Sequence, residues 1–413
     1  MKAHSLYYLI PALLLACSTG CATEGGKAPD AGDSDTTRPV ETKKANADYK
    51  PAFAGQTRIS RTVTKTPYKV DKLTTSLQKP WAVIPLPDNR LLITLKAGEM
   101  QIRDAGGNLV KSITGLPAVD DRGQGGLLDV ALDPAFSSNQ MIYWSFSEKQ
   151  ASGNQNLMAV AKGKLNEAAG KVDNPVVIFR ATPALKSTLH FGSRLIFDKD
   201  GHLFVSTGER SVLEGRAQAQ DLTSGLGKIF KITKDGKPAP GNPFINQQGV
   251  MPEIYAYGIR NAQGLDIHPA TGDLWETEFG PRGGDELNII KPGKNYGWPV
   301  ITYGIEYSGG EIGNPPIQQK AGMEQPVYYW DPVLSPSGMA FYKGDAIPEW
   351  KNNLFIGGLS STHIARVVIK NNKVVGEERL LENERERIRD VAYVNNMLYA
   401  VSDNGTLFRI SRK

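Results

Sequence analysis

Cysteine is almost absent: the chain has two, Cys17 and Cys21, both within its first 21 residues. No disulfide can staple the body of the protein, so its stability has to come from a large apolar core. Histidine is nearly as scarce. Past the leader there are His190, His202, His268 and His363, none close to another in sequence, which excludes a histidine-rich transition-metal centre. His202 and His268 stand in KDGHLF and DIHPATG and read as turn residues. Also missing are G-x-G-x-x-G after a strand, G-x-x-x-x-G-K-[ST], H-E-x-x-H and G-x-S-x-G, so nicotinamide, nucleotide and the commonest hydrolase chemistries have no motif to rest on. Long helical periodicities are lacking. Neither sign of charge dominates. The formal net charge of +5 comes from Lys and Arg scattered among nearly as many acids, without the basic stripe and interleaved aromatics of a nucleic-acid-binding protein.

What is present begins with a leader. Lys2 and His4 precede an apolar run over 6–16 that is too short to anchor in a bilayer and reads as a signal peptide over 1–21. The run closes on Leu14-Leu15-Ala16-Cys17, which is similar to a bacterial lipobox; Cys21 is the second candidate for lipidation. The expectation is an exported protein, periplasmic or held at the outer membrane, touching lipid only through that N-terminal group. Residues 22–48 contain no aromatic and one large aliphatic, Val40, so 22–55 reads as a flexible tether.

From residue 56 to 413 the composition is even, which favours one large domain. Short apolar segments rich in β-branched residues alternate with Gly, Pro and Asn. A polar turn followed by an apolar strand recurs at Asp88–Ile93, Met141–Trp144, Asp200–Val205, Thr271–Trp275, Asn353–Ile356 and Asn396–Val401. Six copies spaced by roughly 45 to 80 residues predict an all-β fold, a six-bladed β-propeller of four-stranded blades. The longer insertions, between His190 and Phe244 and between Tyr296 and Pro336, are expected on the face where blade loops converge and a site is built.

Three clusters carry candidate chemistry. His190, in STLHFGSRLIF, precedes a Gly-Ser that interrupts the strand pattern, so its imidazole is placed to act as a general base at a loop edge. Between 256 and 304, Arg260-Asn261, Gly280-Pro281 and Asp285-Glu286 gather polar groups beyond what turns need, and oxygen-rich runs of this kind suit Ca²⁺. In RERIRDVAY, Arg387 and Arg389 alternate along a strand and share a face, which suits a ligand with several carboxylates.

Eight segments in order, KPWAVIPLPDNRLLIT, RGQGGLLDVALDPAF, HFGSRLIF, AYGIRNAQGL, EFGPRGGDELNII, KNYGWPVITYG, PSGMAFY and RIRDVAY, give the chain from Trp81 onward a close resemblance to the soluble pyrroloquinoline quinone (PQQ)-dependent aldose sugar dehydrogenases of the glucose/sorbosone dehydrogenase type. The resemblance implies a propeller with PQQ near its axis and His190 as the base that takes the proton from the anomeric hydroxyl as hydride passes from C1 to the quinone. It implies that Arg260 and Asn261 bind the cofactor, with Arg260 stabilising charge on the quinone oxygen, and that Gln124, Tyr307, Arg387 and Arg389 also contact it. Backbone carbonyls of Gly280 and Pro281 match those holding a Ca²⁺ against PQQ; Glu286 and Tyr296 match a second, structural Ca²⁺ site.

Two positions depart from the family pattern. Ser360 replaces a basic partner of the cofactor, and Phe279 replaces a polar residue of the glucose-oxidising branch, so the sugar need not be glucose. The function expected is C1 oxidation of aldoses to lactones by a monomer or homodimer that passes electrons to an external acceptor. A Ca²⁺-dependent lactonase and a non-catalytic sugar- or partner-binding propeller are the rival readings.

Overall fold

The computed structural model describes residues 36–151 and 153–413. The leader with Cys17 and Cys21, and the tether up to residue 35, lie outside the described residues. Six four-stranded antiparallel sheets follow one another along the chain, and the first strands of adjacent sheets pack side by side around a common axis. This is the six-bladed propeller. Blades 1 to 5 span 80–113, 127–180, 192–257, 262–330 and 336–380; blade 6 joins three strands from 388–412 to Tyr68–Thr74.

Each of the six recurrent segments supplies the second strand of its blade. Both faces of that strand are covered by neighbouring blades. Leu91–Leu95, Leu203–Thr207, Leu274–Glu278 and Leu354–Gly358 are therefore buried at every position, whereas the outermost strand of blade 2, Lys171–Arg180, is largely exposed. Double coverage explains the near-continuous apolar runs. It also means that a polar residue in a second strand is desolvated and must find a partner.

The axis is closed by charge. Arg194, on the inner strand of blade 3, is buried with Nη1 3.3 Å from Asp129 and 3.1 Å from Asp390, its guanidinium 4.2 Å from the Trp81 ring centroid. The two carboxylates also accept the backbone N–H groups of Leu195 at 2.7 Å and Val83 at 2.8 Å, stitching blade 2 to blade 3 and blade 6 to blade 1.

Beyond residue 35 the segment expected to be a free tether is instead fastened to the propeller. Pro39 bridges to Ser60, Arg58 donates to the carbonyls of Glu41, Lys43 and Asp331, and Glu41 pairs with Arg379 at 2.8 Å. Its polarity prevented it from forming a core of its own, but these bonds run to groups that blades 4 and 5 leave uncovered. No helix among the described residues is long and apolar enough to cross a membrane.

Candidate active site

The face where first strands begin and second strands end carries a cavity of about 500 Å³, lined from all six blades. The size suits a small organic ligand. His190 forms part of its wall, just ahead of the inner strand of blade 3, with a backbone φ of 47°. Glu209 follows the second strand of the same blade, and its Oε1 lies 2.6 Å from His190 Nδ1. The close approach of these two segments needs Gly208, where a Cβ would stand 2.3 Å from the His190 carbonyl oxygen. The Gln124 side-chain carbonyl accepts the His190 N–H at 2.8 Å. Below the loop, Arg210 is fully buried, with its guanidinium 4.0 Å from the Phe191 centroid and a 3.1 Å bond to the Leu189 carbonyl.

A carboxylate on Nδ1 selects the tautomer that carries its hydrogen there, which leaves Nε2 as the acceptor toward the cavity. Burial, and then the positive charge of Arg260, bring the imidazole down from 6.5 to about 4. His190 is therefore neutral near pH 7. Phe279 meets its ring edge-on, with centroids 6.4 Å apart, and gives this side of the cavity an apolar wall.

The opposite side is cationic. Arg387 and Arg389 both reach Asp403, with Nε distances of 2.9 and 2.8 Å, and Lys79 and Lys96 join them at the lining. Burial, followed by the charges of Arg389 and Lys79, lowers the pKa of Lys96. Four cations against Asp403 and Asp285 leave an excess of positive charge facing the same space as His190, which fits a flat polycarboxylate such as PQQ. Tyr307, 69% exposed, stands at the rim; Ser360 shares a 2.8 Å hydrogen bond with Ser335 on the blade 5 side.

Gln124, His190, Gly280, Pro281, Tyr307, Ser360, Arg387 and Arg389 thus meet at one cavity, whereas Arg260, Asn261, Glu286 and Tyr296 do not line it. Asn261 lies behind the wall, accepting the Gly192 N–H at 3.0 Å, with its Nδ2 buried and unpartnered. Arg260 turns Nη1 onto the Gly280 carbonyl at 2.6 Å, leaves Nε unpartnered, and rests 5.0 Å from the Trp298 centroid. A guanidinium thus takes one lone pair of the Gly280 carbonyl, one of the two carbonyls that the resemblance gives to Ca²⁺.

Glu286 and Tyr296 border, with Arg260, a second cavity of about 10 Å³, room for one ion or water. Glu278 stands directly across the ladder from Glu286, and Glu276 across from Asn288, so three carboxylates crowd one face of blade 4. Like charges opposed in a sheet repel. Burial, and then mutual repulsion, push Glu276 and Glu286 well up, and burial raises Glu278 too, while Glu276 Oε1 and Asn288 Oδ1 have no partner. Their oxygens do not converge into a ready metal cluster among the described residues. The charge excess, the orphaned oxygens and the ion-sized space nonetheless fit a hard divalent cation.

Sequence reasoning missed Glu209, Glu276, Glu278, Lys79, Lys96 and Asp403. The acids of WETEFG had a signal: they alternate in a strand whose neighbours are apolar, so they share a buried face. Glu209 had none, since its role arises from a loop meeting a strand end.

The glucose/sorbosone dehydrogenase family model matches residues 77–409. The aldose sugar dehydrogenase YliI of Escherichia coli (strain K12) is 42% identical over 346 residues, covering 83% of this chain and 92% of that protein. The apo crystal structure of the soluble E. coli aldose sugar dehydrogenase superposes with a TM-score of 0.79 at 43% identity, covering 84% of this chain and 100% of that one. The PQQ-bound aldose sugar dehydrogenase of Streptomyces coelicolor gives a TM-score of 0.68 at 30% identity, with 84% and 99% covered. This chain belongs to the glucose/sorbosone dehydrogenase family.

Proposed function

We propose that the protein is an exported, PQQ- and Ca²⁺-dependent dehydrogenase that oxidises aldoses at C1 to lactones and passes the electrons to an external acceptor. As a member of its family it is an oxidoreductase acting on a sugar CH–OH group. The observation that carries the finer reading is the Glu209-held His190 facing a cation-rich cavity of ligand size.

His190 Nε2 takes the proton of the anomeric hydroxyl. The Glu209 carboxylate keeps Nδ1 protonated beforehand and stabilises the imidazolium formed afterwards, the division of labour of a buried carboxylate–imidazole pair. PQQ, when bound, supplies the hydride acceptor. Arg387, Arg389, Lys79 and Lys96 would hold its carboxylates through charge-assisted bonds, while Tyr307 stands at the mouth and Phe279 keeps water from the edge of the base. Arg260 holds the Phe279–Gly280 backbone and places positive charge behind the wall. Ca²⁺, if bound at Glu276, Glu278 and Glu286, would brace blade 4 by offsetting their mutual repulsion.

The test is reconstitution of the purified protein with PQQ and Ca²⁺, following dye reduction on a panel of aldoses. Turnover that needs PQQ and is lost in His190→Gln supports the proposal. Failure to bind PQQ at micromolar concentration defeats it and turns attention to lactone hydrolysis.

A further inference from the structure

Residues 38–60 precede everything the family model matches, yet they reach the turn that walls the cavity. The contact is Asn46. Its backbone N–H donates to Asp331 Oδ1 at 2.9 Å, its Nδ2 donates to the Pro332 carbonyl at 2.9 Å, and its Oδ1 accepts from Arg282 Nε at 3.2 Å. Arg282 sits in the turn 280–285, of which Gly280, Pro281 and Asp285 line the cavity.

Other sides of that turn are secured from within the propeller. Arg282 and Ile305 exchange backbone bonds of 2.9 and 3.1 Å, the Gly284 N–H donates to Trp330 at 2.9 Å, and Asp285 accepts the N–H groups of Gly280, Leu334 and Ser335. The outward side is closed by the arm. At Gly283, φ 78°, a Cβ would lie 2.6 Å from Asp331 Oδ1 and 3.1 Å from Asn46 Nδ2, so the turn is pressed against both. The arm has its own anchorage: Gln56 is wholly buried and donates to the Pro326 carbonyl at 2.9 Å, and Arg58 holds Lys43 and Asp331 together through their carbonyls. A fixed base thus presents one side chain to the turn.

We propose that Asn46 is a positioning residue for the active cavity: by bonding Arg282 and Asp331 it fixes the turn 282–284, and with it the placement of Gly280, Pro281 and Asp285. Its effect on ligand affinity rests on the PQQ reading above; its effect on the turn does not.

The experiment is backbone hydrogen exchange on the ligand-free full chain, comparing wild type with Asn46→Ala, Arg282→Gln and Glu41→Ala. Asn46→Ala and Arg282→Gln remove the same bond from opposite ends, and each is expected to speed exchange in 282–284 about tenfold. Glu41→Ala, which loosens the arm at Arg379, is expected to leave those amides unchanged. In parallel, PQQ titration of Asn46→Ala is expected to show a severalfold higher Kd with the Tm held. Unchanged exchange in 282–284 for Asn46→Ala, or an equal rise in Glu41→Ala, overturns the positioning role. Failure of wild type to bind PQQ removes the quinone reading and leaves the exchange comparison to decide this one.

Discussion

Nδ1 of His190 and Oε1 of Glu209 lie 2.6 Å apart, and both side chains are almost wholly buried. Water does not compete for this contact, so the carboxylate determines which imidazole nitrogen is free. Replacing Glu209 by Gln keeps the shape and removes the charge. The expected outcome is a fall in kcat on the order of 10³-fold with substrate KM little changed. Steady-state kinetics of Glu209→Gln at saturating PQQ check it; full activity would show that the pair does not serve the base.

His190 also sets the acid limit. With its pKa brought from 6.5 to about 4 by burial and Arg260, the acid limb of kcat/KM is expected near pH 4. The unfolded chain binds more protons at this site between those values. The stability gained by keeping the ring neutral is thus complete above about pH 6.5 and is lost as pH falls toward 4. A kcat/KM profile from acid to neutral pH decides, and a limb at the ordinary histidine value would contradict the buried, neutral base.

The carboxylate face of blade 4 works in the opposite sense. Glu276, Glu278 and Glu286 have raised pKa values, so without metal their contribution is largest below the ordinary glutamate value of 4.5 and is lost as pH rises through the folded values. Ca²⁺ offsets the repulsion only when they are ionised. The rise in Tm on adding Ca²⁺ is therefore expected to be larger at pH 8 than at pH 5 and to shrink in Glu286→Gln. Equal shifts at both values would place Ca²⁺ elsewhere.

Arg387 and Arg389 share Asp403, but Arg389 grips it with two nitrogens, Nε at 2.8 Å and Nη2 at 3.0 Å, and is the less exposed of the pair. Arg389→Ala is expected to weaken PQQ binding by about 10- to 100-fold, as for loss of a charge-assisted bond worth about 1.5–3 kcal/mol. Arg387→Ala should weaken it less. Fluorescence titration with PQQ ranks the two, and the reverse order would shift the main carboxylate contact to the exposed arginine.

On the axis, Arg194→Met leaves Asp129 and Asp390 buried without their cation. Breaking such a group is expected to destabilise the fold by about 3–5 kcal/mol. Urea unfolding measures it, and a loss well below that range would mean that the carboxylates are neutral in the native state.

The sequence was most informative where one residue pattern answers to one physical demand. The second strands recur legibly because each is sandwiched between two blades, and that fixed the blade count. His190, Arg387 and Arg389 were legible because a broken strand and a two-residue spacing constrain side-chain direction. Arg260 and Asn261 were not: whether a side chain lines a cavity or backs its wall depends on rotamer and on which carbonyl lies within reach, here that of Gly280. The arm over 36–55 misled for a related reason. Polar composition speaks to whether a segment can fold alone, and says nothing of acceptors such as Asp331 that a finished surface offers it.

Blade 6 is made from both ends of the domain, with Tyr68–Thr74 laid against Leu407–Arg412. A strand formed early in synthesis waits for one formed much later. Until residues 407–412 have emerged, the ring is an open arc with two unpaired sheet edges, and those edges invite association between chains. Closing the circle thereby waits on a pairing between strands far apart in sequence, and deleting 407–412 would leave the arc unsealed.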